Sequence, residues 1–176
     1  MSVIAIYARL NAKGLELCRG NPDWLKALDS HAIPDSEIVD VDKACDGLVW
    51  LLSRLQATSG ATTDGVGFVL KRSLAPRLRG EGGVSERQLD APYGPASRLS
   101  SEQVAELSKW LESVDPVQMR SLYDPHRMDA EKVYPQIWSR EGSAAFDDYL
   151  LPRFHILKAF FSRAVQAQQQ VLVFFS

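Results

Sequence analysis

The spacing of hydrophobic positions changes several times along this chain, and each change marks an element. In VIAIYARL, residues 3 to 10, Ile4, Ile6 and Ala8 alternate with Val3, Ala5 and Tyr7, so both faces of an extended segment are apolar. That pattern predicts a strand buried on both sides. VLVFF, residues 171 to 175, has the same character, and two buried strands at opposite ends of a chain are expected to share one sheet. Between them the period becomes helical. Asn11 is placed to cap a short helix through Cys18. Asn21, Pro22 and Asp23 form a second helix start ahead of Trp24, Leu25 and Leu28.

Residues 39 to 55, VDVDKACDGLVWLLSRL, place Val41, Ala44, Cys45, Leu48, Leu52 and Leu55 on one helical face, and Val49, Trp50 and Leu51 widen the apolar arc. This predicts a central helix capped by Asp40 or Asp42. Gly47 is out of place there, because glycine costs about 1 kcal/mol against alanine inside a helix. It implies that another core element approaches its bare face. Further on, Ser100 and Gln103 form a capping box ahead of Val104, Leu107, Leu111 and Val114. Asp115–Pro116 closes that helix and opens a short one containing Met119 and Leu122, and YDPHRMDAEKVYPQIW reads as turn, short helix and turn. A long helix is expected from about 143 to 168, with Phe146, Leu150, Leu157, Phe161 and Ala164 as its stripe and Pro152 kinking or breaking it.

Seven of the eleven glycines fall between residues 60 and 97, with Pro76, Pro92, Pro95 and the basic cluster Lys71, Arg72, Arg77 and Arg79. This reads as a Gly/Arg-rich loop excursion at about 60–97 on a single domain spanning 1–176, with VGFVL within it as a possible strand. The fold class expected is α+β, a helix-rich single domain with a small sheet containing the N-terminal and C-terminal strands. Its 176 residues, 45% hydrophobic and 24% charged, suffice for one sizeable core. A formal charge of −2 provides no general attraction to nucleic acid. No stretch approaches the roughly 20 apolar residues of a membrane helix, and the N-terminus lacks the marks of a signal peptide, so a cytoplasmic protein is expected. Two cysteines and three histidines show no ligand spacing; neither a disulfide framework, a metal nor another cofactor is expected.

The candidate chemistry is sparse. Asp42 and Asp46 stand four residues apart, on one face of a helix, as a carboxylate pair for acid–base work would. The plainer reading is that Asp42 favours the positive end of the helix and Asp46 pairs with Lys43. The cluster from Lys71 to Arg79 suits phosphates or an acidic protein surface, but has none of the interleaved aromatics that single-stranded nucleic acid requires. Tyr93 and Arg98 in YGPASRL, and Tyr134 and Trp138 in VYPQIW, set rigid aromatics and an arginine on turns, as binding sites do. Anchoring of the loops to the core is the alternative, stronger for Tyr134 and Trp138. Nucleophile and zinc motifs are absent.

Five stretches, VIAIYARL, DVDKACDGLVWLL, YGPASRLSSEQVAEL, VYPQIW and the final helix with VLVFFS, stand in an order and spacing that resemble the YfbM-like domain, a bacterial family of unknown function. The resemblance covers nearly the whole chain and implies a compact, bacterial, cytoplasmic α+β domain with no established activity. The chain departs from the family pattern at Val49, where a histidine is common, and at Cys45, where an aromatic is. The expected function is a non-enzymatic module that binds another protein, one form being an immunity protein that neutralises a toxin. The alternative is a small hydrolase or transferase built on Asp42 and Asp46, with Tyr93 or Arg98 beside them; Val49 in place of histidine counts against it.

Overall fold

The computed structural model describes residues 3–58 and 74–176. VGFVL and Arg72 lie outside the described residues. In chain order the elements are β1 (Ala5–Leu10), α1 (Ala12–Arg19), α2 (Trp24–Asp29), β2 (Glu37–Asp40), α3 (Cys45–Thr58), β3 (Val84–Glu86) and β4 (Ala96–Leu99). Then come α4 (Ser101–Ser113), α5 (Pro116–Ser121), α6 (Pro125–Ala130), α7 (Trp138–Glu141), α8 (Leu151–Gln166) and β5 (Gln170–Phe175). The strands form one antiparallel sheet in the order β2-β1-β5-β4-β3.

The two end strands are neighbours at the centre of this sheet, paired from Ala5↔Phe175 to Leu10↔Gln170. Ile4 and Ser176 extend the ladder with reciprocal backbone bonds of 2.8 and 3.0 Å. Because side chains alternate along a strand, Ala5, Tyr7, Val171 and Val173 enter the larger core with α3, α4 and α8. Ala8, Leu10, Leu172 and Phe174 enter a smaller one with α1 and α2. Helices thus cover both faces, which is why both strands read as continuous apolar runs. Each fully buried Leu, Phe or Val there contributes about 1.5–3 kcal/mol.

Local capping chemistry sets the helix starts. Asn11 accepts the Gly14 N–H at 2.8 Å, and the Ser100–Gln103 box closes with bonds of 3.0 and 3.3 Å. Asn21 accepts the Asp23 N–H at 2.9 Å, so it shapes the turn before α2, which begins at Trp24 rather than at Pro22. Asp40, not Asp42, receives the backbone N–H at the start of the stretch that leads into α3, from Asp42 at 3.1 Å. Asp42 itself has φ +50° and opens a 3-10 turn, Asp42–Ala44. The long C-terminal helix continues through Pro152 by widening into a π-helical turn at Ala145–Leu150, where the Leu151 N–H reaches Phe146 O. That turn accommodates the missing proline N–H.

Three strands escape the sequence pattern. β2, β3 and β4 are three or four residues long and mix Glu, Asp, Ser and Arg with their apolar positions. The described part of the glycine-rich segment is a 3-10 turn, Ala75–Arg79, followed by β3 and the turn to β4. Gly80 sits at φ +75°, and a Cβ there would lie 2.5 Å from Ser97 Cβ. Glycine lets this turn rest directly on β4.

Gly47 has a comparable cause. A Cβ on it would lie 2.6 Å from Trp138 Cη2 and 2.9 Å from Leu150 Cδ2. The bare backbone of α3 is the surface against which the Trp138 indole packs, fully buried, with its Nε1–H donated to Val133 O at 2.8 Å. Gly47→Ala is expected to destabilise the fold by about 1–3 kcal/mol through overpacking, outweighing the gain of about 1 kcal/mol in helix propensity. Urea unfolding measures this, and a midpoint above wild type would contradict the close Trp138 contact.

Candidate functional site

One side of α3 carries Asp46, Val49, Trp50, Ser53, Arg54 and Ala57, at the three- and four-residue steps of a helical stripe at the margin of the larger core. These residues line a cleft of about 500 Å³, bounded by Arg79 and by Glu131 to Val133. The Arg54 guanidinium stacks 3.8 Å above the Trp50 ring. Glu131, just beyond α6, accepts from Trp50 Nε1 at 2.7 Å, from Arg54 Nη2 at 2.7 and 2.8 Å, and from Arg127 Nε at 2.8 Å. The Trp50 hydrogen bond above all, then that of Arg127, hold its carboxyl down at about 2. A second cleft, of about 530 Å³, shares Trp50, Arg54 and Ala57 and runs past Tyr123 to Arg127. The Trp50–Arg54 stack therefore forms a ridge between two hollows.

Of the residues singled out from the sequence, Asp46 and Arg79 line this cleft, and they pair with each other at 2.8 Å. The expected Asp46–Lys43 pair is replaced by that contact, because the 3-10 turn brings Arg79 against α3. Asp42 instead accepts from Tyr149 Oη at 3.1 Å, while the same phenol oxygen accepts the Lys43 N–H at 2.9 Å. The two carboxylates are thus each engaged with a different element.

Other candidates serve the fold. Arg77 is buried and bonded to Glu106 at 2.6 Å. Arg98 joins β4 to β3 and β5, through Glu86 at 2.7 Å and Gln170 at 2.8 Å, and Arg19 adds a second guanidinium on Glu86 at 2.8 Å. Burial pushes the Glu86 carboxyl up, but the bonds from Arg98 and Arg19 outweigh it and hold it below the usual range. Tyr134 accepts the Val3 N–H at 3.2 Å, anchoring the first strand. Trp138 cannot meet a partner, since it is wholly buried under Gly47. Tyr93 is 46% exposed on the turn between β3 and β4 and does not line the cleft.

Cys18 and Cys45 are buried, and burial pushes both thiols up to about 11, away from nucleophilic use. His126 and His155 are exposed. Among the described residues no group of three or more His, Cys, Asp or Glu could hold a metal ion, and no helix is long and apolar enough to cross a membrane.

Trp50, Arg54 and Glu131 escape the sequence reading. Trp50 and Arg54 stand at i, i+4 at the half-buried margin of α3, which is a usable signal; Glu131 shows none, because its partners on α3 are remote in the chain. Glu131 has an ordinary value of 4.5 and a depressed folded one. Its stabilisation is therefore fully present above pH 4.5 and is lost as pH falls toward about 2. Glu131→Gln is expected to be less stable than wild type at pH 7, with a gap that narrows below pH 4.5 and shrinks in high salt. Urea midpoints across that range check this; a gap independent of pH would contradict it.

No curated protein matches the chain. The crystal structure of YfbM from Escherichia coli, a protein of unknown function, aligns with a TM-score of 0.65 over 98% of this chain and 99% of that one, at 17% sequence identity. That likeness shows the shared helix-rich α+β fold and nothing of activity. The model of a domain of unknown function, DUF1877, matches residues 1–174, and the chain belongs to that family.

Proposed function

We propose that this chain is a non-enzymatic, protein-binding module that engages its partner through the Trp50–Arg54 ridge and the clefts on either side. The observation that carries this reading is the ridge itself. A tryptophan and an arginine, the residue types that dominate binding hot spots, are stacked at 3.8 Å and held from below by one glutamate. Such a preformed pair loses little side-chain freedom on association.

The alternative hydrolase or transferase is less well supported. Asp42 is engaged by Tyr149 and Asp46 by Arg79, and the described residues that line the first cleft include Ser53 but no histidine or cysteine to activate it. Neutralisation of a bacterial toxin is one form the binding could take; co-expression with a genetically neighbouring toxin should then restore growth.

A tagged pull-down from the native cell extract, read by mass spectrometry, tests the reading. One protein is expected at near-equal stoichiometry. Trp50→Ala should weaken its capture by about 2 kcal/mol or more, on the order of thirtyfold, while Tyr93→Ala should leave it unchanged. Capture indifferent to both Trp50→Ala and Arg54→Ala, in variants that melt like wild type, would overturn it, as would the absence of any stoichiometric partner.

A further inference from the structure

We infer that the cleft beside the ridge takes a carboxylate-bearing, acidic segment of the partner protein, seated against Arg79, Arg54 and Lys132. This rests on the protein-binding reading above and adds the chemistry of the partner. The chain as a whole carries a charge of −2, yet among the described residues this cleft is lined by three cations, Arg54, Arg79 and Lys132, against two carboxylates, Asp46 and Glu131. The second cleft adds Arg127 and Asp124.

The carboxylates are already occupied. Glu131 accepts from Trp50, Arg54 and Arg127, Asp46 faces Arg79, and Asp124 caps α6 by accepting the Arg127 N–H at 3.0 Å. The cations are not used to the same degree. A guanidinium carries five N–H donors. Arg54 gives Glu131 one nitrogen, Nη2, and Arg79 likewise meets Asp46 through Nη2, which leaves Nη1 of each outside those pairs. Lys132 is exposed, projected by a backbone at φ +57°.

The balance of charge selects the ligand. The excess of positive charge among the described lining residues favours an acidic segment, whose carboxylates are planar and able to accept two parallel N–H bonds from a guanidinium. The Asp46–Arg79 pair is about one-third exposed on both sides, so an incoming carboxylate reaches Arg79 without displacing a buried group. Trp50 offers an apolar surface to the residues flanking that carboxylate.

The probe is a capped tetraglutamate peptide, titrated into the 15N-labelled protein with the indole N–H of Trp50 and the Nε–H signals of Arg54 and Arg79 as readout. Saturable shifts at those three sites are expected, with none from the tetraglutamine twin. Arg79→Gln should weaken binding at least fivefold. Lys132→Gln, at an exposed position with no fold to disturb, should weaken it at least twofold. Absence of saturation, or shifts indifferent to both variants, would overturn the inference. So would inorganic phosphate moving the same signals at equal or lower concentration, which would make this a general anion site. A captured partner that depends on Trp50 but is not displaced by tetraglutamate leaves the binding module standing and removes the acidic segment. Tetraglutamate binding with no partner captured leaves a carboxylate-binding cleft standing and removes the protein partner.

Discussion

The first and last strands of this fold hydrogen-bond to each other along their whole length at the centre of the sheet, and the other elements are placed by reference to that pair. Their alternating side chains serve two cores at once. From the middle of β1, the Tyr7 hydroxyl donates to Leu78 O at 2.5 Å and lies 3.6 Å from Cys45 Sγ. The next residue in each case belongs to the cleft: Arg79 follows Leu78, and Asp46 follows Cys45. A buried phenol in the central strand thereby sets the register in which the Asp46–Arg79 pair meets. Burial keeps that phenol protonated by pushing its pKa well above the ordinary value.

The opposite wall of the cleft depends on a different contact. Trp138 brings the edge of its indole against α3 because Gly47 has no side chain, and its indole N–H holds Val133 O. That bond fixes the segment between α6 and α7, and Glu131, two residues before Val133, is held where Trp50 and Arg54 can reach it. Gly47, Trp50 and Arg54 stand at three- and four-residue steps along one side of α3. The bare residue admits a tryptophan, and the next two turns of the same side gain a glutamate as a result.

How much of this can be read from the chain follows from the range of each interaction. The capping box at Ser100, the cap at Asn11, the doubly apolar end strands and the anomaly of Gly47 are decided within a few residues, so their patterns are visible. The π-helical turn at Pro152 is half visible: proline announces a disturbance, but packing decides that the helix widens instead of breaking. β2, β3 and β4 are hidden because short strands with mixed polarity take their structure from their neighbours in the sheet. The site is hidden for the same reason. Lys43 is the near partner for Asp46 in sequence, yet Arg79 takes it, and Arg77 and Arg98, exposed by any local measure, are drawn inward by Glu106 and Glu86.

The strand order also governs the sequence of events during synthesis. β1 and β2 can pair early, across α1 and α2, and β3 and β4 can pair later, but neither pair touches the other in the sheet; both are joined through β5, which follows every other described element. Until it arrives, β1 and β4 each present an open edge, the kind of edge that invites pairing with another chain. Inserting a strand between the two waiting pairs closes one loop nearly as long as the chain, to β1, and another less than half as long, to β4, a slow step by the topology of its contacts. The nascent chain would therefore hold two half-sheets apart until β5 has emerged.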